Sequence, residues 1–221
     1  MEMGKGRTKV LVIIIVVLFF LDIFMYIVVE EEKNNIKLLL ENTKQYNNSI
    51  IVVKGGIIDF RISSTLKKGM GYIEKKGYVI PVMNMSTNYS LGDEVYVRGK
   101  FVEEGGVIRL YSFEDKKIGK SKIPTSTVVS IEELKGKPQD YSYRVLEIRN
   151  MKIEEINITS VLPPVFQQPE HYVYEIKLSG TNLPAYYIGP KLDIDFKKSY
   201  NALATILNLG YAYSIRIFRF L

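Results

Sequence analysis

The chain of 221 residues has no cysteine, no tryptophan and one histidine, His171. Without cysteine no disulfide can form, so the fold must hold by burial and hydrogen bonding alone. Metal centres built from thiolate and imidazole are excluded with it. No nucleophile elbow, phosphate-cradling glycine loop or metalloprotease helix appears. These absences predict a protein that is not an enzyme and uses no cofactor. A large excess of one charge is also missing from the body of the chain. The formal net charge is +6, yet residues 30–114 hold 12 basic and 11 acidic side chains and residues 128–221 hold 11 and 10. The excess sits at the N-terminus and in residues 115–127, where Lys116, Lys117, Lys120 and Lys122 face Asp115 alone. Balanced bodies of this kind predict that nucleic acid is an unlikely partner.

What is present begins with one long apolar run, Val10 to Val29, broken only by Asp22. As a helix it would be about 30 Å long, the thickness of a bilayer's hydrocarbon core. Lys5, Arg7 and Lys9 precede it and Glu30, Glu31 and Glu32 follow. The basic flank predicts a cytoplasmic tail over 1–9, an uncleaved transmembrane helix over 10–29 and an extracytoplasmic remainder in a single-pass protein of the cell membrane. Asp22 is either a polar contact with another membrane helix or an acid that a very apolar helix tolerates.

The remainder contains a repeat. Shifted by 95 residues, Ile36 meets Ile131, Leu39 meets Leu134, Tyr46 meets Tyr141, Ile50 meets Val145, Val53 meets Ile148 and Ile58 meets Ile153 without a gap. A duplicated unit of about a hundred residues is a usual domain size. Each copy opens with a short helix, the second through a capping box of Ser130 and Glu133, and continues into a long strand. In the first copy, that strand runs from Ile50 to Ser63. A hairpin over Gly71–Met83 turns at Lys75–Gly77. A strand over Gly92–Phe101 places Val95, Val97 and Phe101 on one face, and another follows at Val107–Phe113. The pattern Tyr46-x-x-x-Ile50-x-x-Val53-Lys54-Gly55, followed by Gly92-Asp93-x-Val95-x-Val97-x-Gly99, resembles the oligonucleotide/oligosaccharide-binding (OB) fold. That resemblance implies a mainly β protein with two OB-like five-stranded β-barrels, over 30–114 and 128–221, joined by a basic linker over 115–127. An anchor ahead of an external barrel also resembles the haem chaperones of cytochrome c maturation. Their histidine or cysteine is followed four residues later by tyrosine. His171 is followed there by Glu175, so the haem function is not carried over.

In the second copy, residues 157–171 read as a proline-rich loop, with strands at His171–Leu178 and Ala185–Ile188, a helix at Ser199–Asn208 and a last strand at Tyr211–Leu221. Val161, Leu162, Val165 and Phe166 in the loop are candidate partner contacts along with Asp22. In the first copy, Arg61, Tyr72, Tyr96, Arg98, Arg109 and Tyr111 are candidates for a ligand face, because tyrosines among arginines can stack on bases or sugar rings. Asn-x-Ser/Thr sequons make Asn47, Asn84, Asn88 and Asn157 glycosylation candidates. The expected function is a membrane-anchored scaffold or accessory subunit that binds another envelope or membrane protein. The alternative is an OB-type binder of oligosaccharide or single-stranded nucleic acid. The partners expected are the bilayer and a membrane protein, with glycan possible.

Overall fold

A computed structural model describes residues 16–18, 35–63, 65–122, 124–165 and 168–221. Asp22, Phe166 and, apart from residues 16–18, the run Val10–Val29 lie outside the described residues. Among those described, no helix is long and apolar enough to cross a membrane.

Among the described residues, eleven strands build two closed barrels. In the first, β1 (Ile50–Ile62), β2 (Gly69–Lys75), β3 (Tyr78–Met85), β4 (Asp93–Glu104) and β5 (Val107–Lys120) are ordered β1-β2-β3-β5-β4 and close back onto β1. In the second, β6 (Thr127–Val129) lies beside β7 (Leu146–Leu162). With β8 (His171–Leu178), β9 (Ala185–Gly189), β10 (Ser199–Asn208) and β11 (Tyr213–Phe220), β7 closes a ring in the order β7-β8-β9-β11-β10. Counted from its own first strand, each ring reads 1-2-3-5-4, and in each the third and fifth strands pair in parallel. The duplication read from the sequence is thus repeated in the topology.

The matched residues explain why both copies close alike. Ile36 and Leu39, on the helix Ile36–Glu41, are buried in the first core. Ile131 and Leu134, on the helix Ile131–Gly136, are buried in the second. Each short helix thus adds its apolar residues to the core of its own barrel. Ser130 caps the second helix by accepting from Glu133 N, while the Glu133 side chain accepts from Ser130 N. Val53 and Ile148 are wholly buried at equivalent places on β1 and β7. Asn48 and Tyr143, also 95 residues apart, both turn the chain at positive φ, 64° and 58°. The hairpin between β2 and β3 turns through Lys76 and Gly77 at φ 54° and 82°, the conformation of a two-residue hairpin turn.

Three expectations are corrected. Ser199–Asn208 is a strand, not a helix. Ala202, Ala204 and Ile206 point into the second core while Leu203 and Leu207 pack with the first, so both faces are apolar and no two-residue period is visible. Residues 115–120, read as linker, continue β5 beside β4 as far as Asp93 opposite Lys120, with a register shift between Glu94 and Val95. Residues 157–162, read as loop, belong to β7, whose hairpin with β8 pairs Val161 with Tyr172 and Leu162 with His171.

Leu39 and Leu134 hold equivalent, fully buried positions, so Leu39→Ala and Leu134→Ala should each cost about 2–5 kcal/mol. Urea unfolding of the two variants checks both the size and the similarity of the losses.

Candidate nucleic-acid interface

The six ligand-face candidates fall into two groups, because the second barrel covers one side of the first. The outer residues of β11, Ser214, Arg216 and Phe218, are as buried as its inner residues Ile215 and Ile217. Phe218 joins the first core and meets Tyr72 edge-on, with ring centroids 5.2 Å apart. Arg216 donates to Asp59 Oδ2 at 2.6 Å, both side chains being 7% exposed, and its guanidinium lies over the Tyr72 ring. Arg61 is 3.2 Å from Asp59 and donates to the Ile188 carbonyl. Tyr143 and Val145 are buried in the first core, with Val79 N donating to Tyr143 O and Val145 N to Gly77 O. The strand 2 and 3 surface, the usual ligand face of an OB barrel, is therefore occupied here by protein. Arg61 and Tyr72 belong to this interface. Burial, opposed by Asp59, lowers the pKa of Arg61; burial raises that of Tyr72.

The β7–β8 hairpin also turns inward. Gln168 accepts from Ile62 N at 2.9 Å and donates to Phe60 O at 3.4 Å. Of the partner-contact candidates, Val161 is exposed, and Leu162 and Val165 are half-buried. Val165 pairs with Gln168 in the tip. The tip thus has a contact within its own chain.

Tyr96, Arg98, Arg109 and Tyr111 lie together on the opposite, open side. Alternation along β4 sends Val95, Val97 and Phe101 inward and Tyr96, Arg98 and Lys100 outward. Register then sets three rows across β1, β4 and β5: Lys54, Tyr96 and Lys116; Val52, Arg98 and Glu114; Ile50, Lys100 and Tyr111. Arg109 follows opposite Val102. Lys116 Nζ lies 5.0 Å from the centroid of the Tyr96 ring, and Phe113 is exposed beside them at a register shift. The result is an open sheet surface with rings spaced among cations and Glu114 as the acidic member of the middle row. Lys54, Lys100 and Lys116 complete the surface but were not among the candidates. The period-two pattern of β4 would have found Lys100. Lys116 was hidden by the shift near Phe113, which breaks the alternation.

The neighbouring lysines are engaged differently. Lys117 and Lys120 lie 2.8 and 2.6 Å from Asp93 Oδ1. Burial alone would raise the pKa of Asp93, but these two ammonium groups and Ser90 N bring it down to about 2. Of the glycosylation candidates, the half-buried Asn47 donates its amide to Glu103 O at 3.0 Å and accepts from Glu103 N at 2.9 Å. Asn84, Asn88 and Asn157 are exposed. Among the described residues, no group of acidic and histidine side chains could hold a metal ion.

No family model matches the chain, and no curated protein does. Solved structures do. The p202 HIN1 domain in complex with a 12-mer double-stranded DNA is 8% identical, over 79% of this chain and 94% of that one, with a TM-score of 0.34. A murine DNA-binding protein bound with double-stranded DNA is 10% identical, over 75% and 88%, with a TM-score of 0.35. A replication protein A heterotrimer bound to single-stranded DNA is 10% identical, over 80% and 50%, with a TM-score of 0.29. The expectation that nucleic acid is an unlikely partner is withdrawn, since it rested on the balanced charge of the whole barrel, whereas register gathers Lys54, Arg98, Lys100 and Lys116 around Tyr96 and Tyr111 on one surface. The expectation of a bilayer and an envelope protein as partners is not carried forward. Scores of this size assign no ligand to this chain.

Two outcomes follow from the electrostatics. Asp59→Ala should cost about 3–5 kcal/mol in urea unfolding, because it leaves buried Arg216 without its counter-charge. Asp93 has a lowered pKa when folded, so its stabilisation is complete above its unfolded pKa of about 3.9 and is lost as pH falls through about 2. Stability measured from pH 5 down to about pH 2 should therefore fall less steeply in Asp93→Asn than in the parent chain.

Proposed function

We propose that this chain is a binding protein, not an enzyme, and that its first barrel takes single-stranded nucleic acid across the outer face of β1, β4 and β5. The observation that carries this reading is the register that places Tyr96 between Lys54 and Lys116 and sets Arg98, Lys100 and Tyr111 beside them. Single strands expose base faces that stack on aromatic rings, while their phosphates follow a line of cations, without any need for base-edge readout. Tyr96 and Tyr111 supply rings at two heights of one sheet, and Arg98 and Lys100 supply charges between them. The balanced charge of the whole barrel does not oppose this, because the contact depends on the local surface. Lys117 and Lys120 share the single carboxylate of Asp93, which offsets one of their two charges.

The test is fluorescence anisotropy with a labelled oligothymidylate at several salt concentrations. Tyr96→Ala should weaken binding by about 5- to 100-fold, the loss of one stacked base. Arg98→Ala should weaken binding and lower the slope of log affinity against log salt by about 0.7. No binding at low salt, or binding unchanged by both substitutions, would overturn the reading.

A further inference from the structure

Between the barrels lies a cavity of about 560 Å³ whose lining includes Asp59, Arg61, His171, Tyr187, Phe218 and Arg219 and none of Lys54, Tyr96, Arg98, Lys100, Tyr111 or Lys116. Its size is that of a small-molecule site. Its charge is not balanced. Arg61 and Arg216 both meet the single carboxylate of Asp59, which leaves one excess positive charge in a largely dry interface, and Arg219 adds another at the rim. Buried charge without a partner is costly. The Nε atoms of both Arg61 and Arg216 are buried without a hydrogen-bond partner among the described residues. Arg61 has already given one donor to Ile188 O and one face to Asp59. Burial, and then the Arg61 charge, lower the pKa of His171. The His171 ring also lines the cavity.

The remaining walls are mostly apolar, with Ser121, Lys122 and Gln168 among them. Tyr187 and Phe218 contribute rings. Tyr187 in turn stacks at a tilt on Tyr174, so its ring is held by the second core. A cationic end beside aromatic walls matches a ligand that carries a doubly charged anion on a flat body. Arginine is the side chain best suited to hold phosphate oxygens by paired donors.

We propose that this cavity binds a small organic phosphate, a phosphate monoester on a flat ring system. Arg61 and Arg219 would hold the phosphate, and Tyr187 and Phe218 would line the ring. The site is separate from the Tyr96 surface and does not rest on the single-strand reading. It draws on both barrels, so the ligand would bridge the two copies of the repeat.

The experiment is isothermal titration calorimetry of the full chain with adenosine 5′-monophosphate, with adenosine and inorganic phosphate as separate arms. The monophosphate should bind, adenosine should bind at least about tenfold more weakly, and Arg61→Gln should lower affinity about tenfold or more, the value of one charge-assisted contact. Arg219→Gln, at an exposed rim position, should weaken binding in the same direction and keeps the test valid if Arg61→Gln does not fold. Tyr96→Ala should leave the monophosphate affinity unchanged while reducing oligothymidylate binding, which separates failure of this site from failure of the strand surface. Absence of monophosphate binding at millimolar concentration, equal binding of adenosine, or affinity indifferent to both arginine substitutions would overturn the proposal.

Discussion

Arg216 reaches out of the second barrel and finds Asp59 of the first at 2.6 Å, with both side chains almost fully buried. Two charges enter such a place only if the surrounding packing fixes them, since desolvating them costs several kcal/mol each. The packing is supplied by Tyr72 against Phe218 and by Tyr143 and Val145 seated in the first core. The position of the second barrel on the first, and hence which sheet surface stays open, depends on this pair and its apolar frame. Two closed barrels alone would not decide it.

That frame divides the tyrosines and arginines by role. Arg61, Tyr72 and Arg216 lie at the contact between the copies, whereas Tyr96, Arg98 and Tyr111 lie on an open surface. A residue type that suggests ligand contact in a sequence therefore served two purposes here, and only register separates them. The same register explains why the lysines of β5 are unequal. Lys116 points toward Tyr96, while Lys117 and Lys120 meet Asp93.

Much of the fold was legible. The 95-residue shift identified Ile36 with Ile131, Leu39 with Leu134 and Val53 with Ile148, and these pairs are core residues of two rings with one strand order. The β2–β3 turn and the inward set Val95, Val97 and Phe101 could be read because one-sided burial leaves a two-residue period. Ser199–Asn208 could not be read as a strand, since its second face is buried by the other barrel and its alanines and leucines favour helix locally. Half of the candidate surface was legible for the same reason that β4 was. Arg61 and Tyr72 look identical to the other candidates in sequence, and the long-range pairing that claims them leaves no local mark.

β11 is buried on both of its faces, one side belonging to its own core and the other to its neighbour's. A duplicated unit starts as two equal copies, each able to stand alone. Here the second copy has given its outer side chains to the first, and the first has taken in Tyr143 and Val145 from the second. The copies have thereby ceased to be interchangeable. Neither can be excised, swapped or reordered without leaving an apolar wall open to water, so the two barrels share a strand order and differ in what their surfaces face.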